Sequence, residues 1–293
     1  MPRTLILFAA LALRAAAAGA APVEEVLSVP VEVADILGRP VSQPIVVTLT
    51  VDDAVPAPRP LLLISHGRPP DAAERASMGR SFYAEQANWF ARLGFAVAVP
   101  VRVGYGPSGG PDVENAGACQ NMQHRAVFDA AARQGLAVIE VLRRRPDIAP
   151  DRTVILGQSV GGAATVALAA LKPPGVVAAI NFAGGGGGNP KTRPQDPCSP
   201  WALAQAFADY GRSARIPMLW IYTENDRFFG ARVPFEWFDE FTLVGGNADF
   251  LRLLPFGEDG HNLFRLGLPV WKPHVLGFLR AHGFPGLAEP PAR

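Results

Sequence analysis

The sequence predicts an α/β fold: a mostly parallel sheet with helices on both faces, joined by antiparallel strands on its N-terminal side. Three observations predict it. Leu61 to Ser65 and Phe95 to Val101 are nearly continuous apolar runs, which suit strands buried on both faces. Helical patterns alternate with such runs through the rest of the chain. The earlier runs, Val26 to Val33 and Ile45 to Val51, alternate apolar and polar residues as an antiparallel pair does.

Taken in order, the first predicted helix is Ser81 to Leu93, with Phe82, Ala84, Trp89, Phe90 and Leu93 at helical spacing and Gly94 as its stop. Arg125 to Arg145 is a long helical pattern closed by Pro146, and its basic end, Arg143 to Arg145, suits a helix C-terminus. Thr153 to Leu156 reads as a strand, followed at once by a helix from Val160 to Leu171 that Pro173 and Pro174 end. Further strands are expected at Val176 to Phe182, Met218 to Tyr222 and Phe250 to Leu254. Further helices are expected at about Trp201 to Gly211, Pro234 to Leu243 and Val270 to Ala281. The run Gly184 to Gly188 reads as a flexible loop at the C-terminal end of a strand, where open α/β sheets place their ligands. It is not a phosphate loop, because Pro190 stands before Lys191 where a glycine amide is needed.

Composition narrows the function classes. Of 293 residues, 27 are Lys or Arg and 26 are Asp or Glu, a net charge of +1 that argues against a nucleic-acid binder. Hydrophobic residues at 49% and charged ones at 18% allow a large core and exclude general disorder. Met1, Pro2 and Arg3, the apolar run Leu5 to Leu13 and the small residues Ala18, Gly19 and Ala20 predict a signal peptide over residues 1–20. One domain is expected over 21–293, secreted or periplasmic, with no stretch long enough to span a membrane. Cys119 and Cys198 have no metal or redox spacing, and in an oxidising compartment they could pair. The five histidines never fall at zinc-ligand intervals, so neither a metal nor any other cofactor is implied.

Chemistry concentrates in Gly157-Gln158-Ser159-Val160-Gly161-Gly162, a G-x-S-x-G arrangement between a predicted strand and a predicted helix. The turn is sharp enough to need small residues around the serine, whose hydroxyl then projects from the sheet. The helix start also aims the Val160 N–H at the site, where it can stabilise an oxyanion. A serine hydroxyl needs a base, and the base needs an orienting acid. His261 stands in a polar loop after the strand Phe250 to Leu254, and Asp226 follows the strand Met218 to Tyr222. Glu224 is the alternative acid, while Asp259 is too close to His261 in sequence to orient its ring easily. The second oxyanion donor is expected from His66-Gly67-Arg68, where Gly67 permits unusual backbone angles and Arg68 presents its N–H. His66 is expected to brace that loop, His124 to begin the long helix, and His274 and His282 to be surface residues.

With Ser159, Asp226 and His261 in that order, the His66-Gly67 loop and the strand-helix alternation, the chain resembles the α/β-hydrolase superfamily. It is similar to secreted bacterial dienelactone hydrolase-like esterases from about Val26 to Phe284. Tyr105-Gly106-Pro107-Ser108-Gly109-Gly110 resembles a loop that shapes the pocket in many such hydrolases. Dienelactone hydrolase proper uses a cysteine nucleophile; Ser159 departs from it, so that enzyme's substrate is not carried over. The resemblance implies a serine esterase acting on a small-molecule ester through an acyl-enzyme. The lack of a charged field around the site points to a neutral ester. Phe228, Phe229 and Phe264, with Trp237 nearby, are pocket candidates beside Tyr105, and a Cys119–Cys198 bridge would join two segments of the pocket rim. A peptidase or amidase would need a cap or propeller that no segment here is long enough to form. A non-catalytic binding module would not retain the full set of site residues.

Overall fold

The computed structural model describes residues 21–288, so the predicted signal segment lies outside the described residues. Eight strands form one sheet: β1 (Val23–Ala34), β2 (Pro40–Val51), β3 (Arg59–Ser65), β4 (Ala96–Val101), β5 (Ile148–Gln158), β6 (Val176–Phe182), β7 (Met218–Thr223) and β8 (Ala248–Leu253). Their order is β1-β2-β4-β3-β5-β6-β7-β8. β1 and β2 pair antiparallel, β2 meets β4 antiparallel, and every other pairing is parallel. The predicted fold class is therefore the observed one.

The period of two along the central strands decides which layer each residue joins. Leu61, Leu63, Ala96, Ala98 and Ile155 enter one core. Leu62, Ile64, Val97, Val99, Val154 and Leu156 enter the other. The first core is closed by α3 (His124–Leu142), α4 (Val160–Ala170), α5 (Pro200–Gly211) and α6 (Val233–Leu243). The second is closed by α2 (Ala84–Arg92) and α8 (Leu268–Ala281). Two short helices, α1 (Ala72–Ala76) and α7 (Leu263–Leu266), are not legible in the sequence because neither is long enough to show a period.

β3, β5, β6, β7 and β8 are mutually parallel, so their C-terminal ends share one edge of the sheet. The loops that carry Gly67, Ser159, Gly184, Asp226 and His261 all leave from that edge. Among the described residues no helix is long and apolar enough to cross a membrane.

Candidate active site

Ser159 sits between β5 and α4 with φ 58° and ψ −126°, a left-handed backbone that a non-glycine residue holds only under constraint. The constraint is steric on every side. A Cβ on Gly157 would stand 2.1 Å from the Gly161 carbonyl oxygen, and one on Gly161 would stand 2.1 Å from the Ser65 carbonyl oxygen. On Gly162 it would meet Asn181 Oδ1 at 2.4 Å. The Ser159 amide donates to the Phe182 carbonyl (3.0 Å), and its own carbonyl accepts from the Gly185 amide (3.1 Å). Ser159 is thus tied to the end of β6, and Val160 opens α4, where the first amides have no acceptor within the helix.

Gly67 passes alongside. A Cβ there would lie 3.1 Å from Ser159 Cβ and 3.6 Å from its Oγ, so the loop after β3 does border the serine. His66 braces this loop. Its Nε2 accepts from the Arg102 amide (3.0 Å), which leaves the proton on Nδ1 to donate to the Gly67 carbonyl (2.7 Å). Burial, reinforced by the Arg102 cation, holds its pKa well below the usual histidine value, so the ring stays neutral.

Asp226 Oδ2 lies 2.9 Å from His261 Nδ1, and both side chains are buried. Asp226 Oδ1 accepts from the amides of Phe228 (2.7 Å) and Phe229 (3.1 Å), which fixes the carboxylate's rotamer. Glu224, the alternative acid, instead faces Arg252 at 3.6 Å in an exposed pair. Asp259 orients backbone rather than ring: its Oδ1 accepts from the amides of His261 and Arg227, both at 3.0 Å, and so joins the loop of His261 to that of Asp226. Gln158 adds a tie that its sequence position does not reveal. Its Nε2 donates to the His261 carbonyl (2.6 Å), while its Oε1 accepts from Tyr83 OH (2.8 Å).

A cavity of about 360 Å³ opens on Ser159 and Val160. Phe228 and Phe229 line it as expected, and Phe228 stacks on the His261 ring with centroids 3.9 Å apart. Two other pocket candidates are placed elsewhere. Phe264 is fully buried in the second core, against Phe182, Tyr83 and Trp271, because the short helix after His261 turns it to the far face of the sheet. Tyr105 is fully buried behind the cavity, where its hydroxyl donates to Glu114 (2.6 Å) and accepts from Arg68 (3.1 Å). Trp237 is likewise a core residue, bonded to the Pro200 carbonyl. The glycine run is the main departure from expectation. Gly184, Gly185 and Gly186 are buried, and Cβ atoms at Gly185 and Gly188 would meet Phe229 and Phe228 at 2.8 Å. This segment is a packed cavity wall in which side chains do not fit.

The cavity is also lined by Cys119 and Cys198, which form a disulfide, and by Met122, His124, Val127 and Phe128. Arg193 contacts both sulfurs and pairs with Asp196 at 2.8 Å. Arg68 forms a two-pronged pair with Asp112 (2.7 and 2.6 Å). Burial would raise the Asp112 carboxyl, but the Arg68 guanidinium holds it below its usual value. Glu114, fully buried, pairs with Arg102 at 2.5 Å. Each charge bordering the cavity therefore has an opposite partner. No cluster of metal-ligating side chains occurs among the described residues.

Among solved structures the chain is similar to an acetyl xylan esterase from a Paenibacillus species, at 14% identity and a TM-score of 0.58, covering 88% of both chains. It is also similar to an esterase from Pyrococcus furiosus, at 13% identity and a TM-score of 0.59, covering 87% of this chain and 93% of that one. A dienelactone hydrolase-like promiscuous phosphotriesterase from metagenomic libraries matches at 17% identity and a TM-score of 0.55, over 88% of this chain and 99% of that one. Among curated proteins no sequence matches this one. The profile of the dienelactone hydrolase family matches residues 77–235, which include the serine turn and Asp226. The chain belongs to the dienelactone hydrolase family and is, in class, an ester hydrolase.

Proposed function

We propose that the chain is a serine esterase that hydrolyses a neutral carboxylic ester through a Ser159–His261–Asp226 triad and an acyl-enzyme. The observation that carries the reading is the 2.9 Å contact between Asp226 Oδ2 and His261 Nδ1 beside a strained serine at a helix start. In this mechanism Ser159 Oγ attacks the ester carbonyl carbon while His261 Nε2 takes its proton. Asp226 keeps the other ring proton on Nδ1 and stabilises the imidazolium. The amides of Val160 and Arg68 bind the tetrahedral oxyanion. His261 returns the proton to the departing alcohol, and water, activated by the same histidine, releases the acid. The pairing of Arg68, Glu114 and Arg193 with opposite charges supports a neutral substrate. We infer export as well: the predicted signal segment and the Cys119–Cys198 bridge both suit an oxidising compartment.

The test is Ser159→Ala. Hydrolysis of nitrophenyl esters falls by about 10⁴- to 10⁶-fold and labelling by a fluorophosphonate is lost. Turnover equal to wild type would refute the assignment, and a peptide amide run beside the esters decides between esterase and amidase.

A further inference from the structure

We propose that His124 is a substrate-recognition residue. Its Nδ1 lone pair, in the cavity that opens on Ser159, accepts a hydrogen bond from a neutral hydroxyl or N–H group on the arm of the ester that fills that cavity. The identity of the ligand as an ester rests on the serine-esterase reading above.

The ring's protonation follows from its surroundings. His124 is 2% exposed, and its Nε2 lies 2.9 Å from the Cys198 carbonyl oxygen. A carbonyl only accepts, so Nε2 carries a proton. Burial lowers the ring's pKa to about 4 despite that bond, and at neutral pH the ring holds one proton only. Nδ1 is therefore a bare acceptor, and no donor among the described residues meets it.

The space in front of Nδ1 is held open by backbone. A Cβ on Gly186 would stand 3.0 Å from Nδ1 and 3.4 Å from Phe128. Met122, Val127 and Phe128, which line the same cavity, offer no hydrogen-bond donor, and Phe128 stacks on the imidazole at 6.0 Å. A buried acceptor without a partner gains most from a ligand that brings the missing donor, and discriminates against one that does not. The cations nearby do not call for an anionic ligand, since Arg68 and Arg193 already hold Asp112 and Asp196. Bonding the Cys198 carbonyl needs Nε2 alone, so a purely structural role leaves Nδ1 without a purpose.

The experiment uses matched nitrophenyl and alkyl esters ending in a hydroxyl or a methyl group, lengthened through the acyl arm in one series and the alcohol arm in the other. In one series, at one length, wild type favours the hydroxyl ester by about 10- to 100-fold in kcat/KM. His124→Gln can still donate to the Cys198 carbonyl but has no acceptor at Nδ1, and it equalises the pair. His124→Asn places an acceptor near the Nδ1 position and keeps the preference. A structural role would lower both members of a pair alike and leave their ratio intact. Equal rates across every pair in wild type, or a preference that survives in His124→Gln, overturns the proposal. If fluorophosphonate fails to label Ser159 and no ester turns over, the esterase reading fails on its own. The pocket is then judged in the Ser159→Ala protein by the nitrogen-15 resonance of His124 Nδ1. It moves on addition of phenol and not of toluene; no movement with phenol overturns the proposal.

Discussion

Asp226 and His261 meet at 2.9 Å across 35 residues of sequence, and the carboxylate has one oxygen for the ring and one for the backbone. That division makes Asp226→Asn informative. The amides of Phe228 and Phe229 keep the carbonyl oxygen of the new side chain, so its NH₂ faces His261 Nδ1. Nδ1 must then accept, the ring proton moves to Nε2, and the base can no longer take the Ser159 proton. We expect kcat for a nitrophenyl ester to fall by about 10⁴-fold with the melting temperature little changed. A fall of less than about tenfold would remove Asp226 from the proposed triad.

The serine turn predicts its own intolerance. A methyl at Gly161 would stand 2.1 Å from the Ser65 carbonyl oxygen and 2.5 Å from that of His66, both backbone atoms that cannot rotate away. Gly161→Ala should cost at least about 3 kcal/mol in urea denaturation. Gly277 lies inside α8, and a methyl added there would have nothing within 4 Å, so Gly277→Ala should stabilise by about 0.5–1 kcal/mol. If both substitutions proved neutral, the steric account of the turn would be wrong.

The strand-turn-helix context makes Ser159 legible in sequence, and the strand ends make Asp226 and His261 legible, because a parallel sheet brings those ends to one edge. Phe264 departs from its expected place for a physical reason. Closeness to His261 in sequence says nothing about which face of the sheet a ring enters, and one short helical turn sends it to the far core. Tyr105 lies in the expected loop but behind the cavity, because its hydroxyl has a buried carboxylate to serve. The glycine run reads as a mobile loop in sequence, since composition cannot separate glycine chosen for freedom from glycine forced by close packing. His124 begins a helix as expected, yet its cavity position depends on Cys198, 74 residues away.

Two of the three buried histidines, His66 and His124, give stability a pH dependence. His66 and His124 titrate below the usual histidine value in the folded chain, the latter at about 4. Between about pH 6.5 and 4 the unfolded chain therefore binds protons that the folded chain refuses. Their contribution is fully present above about pH 6.5 and is lost as the pH falls, at up to about 1.4 kcal/mol per pH unit for each ring. Urea midpoints from pH 7.5 to 4.5 should show this decline, and His124→Gln should make it shallower. A profile unchanged by that substitution would mean His124 titrates normally.

The disulfide closes a separation of 79 residues at the cavity wall, and Cys198 also supplies the carbonyl that His124 holds. In the chain-entropy account a loop of that length restricts the unfolded chain by about 4 kcal/mol. Chemical denaturation with and without dithiothreitol should therefore differ by about 2–4 kcal/mol in wild type. A protein carrying both Cys119→Ser and Cys198→Ser should match the reduced wild type and ignore the reductant. Because both cysteines line the cavity, the same change should raise KM more than it lowers kcat, whereas Asp226→Asn acts on kcat. Identical stability in the two redox states would show that the bridge does not constrain the fold, and an unchanged KM would remove it from the cavity's support.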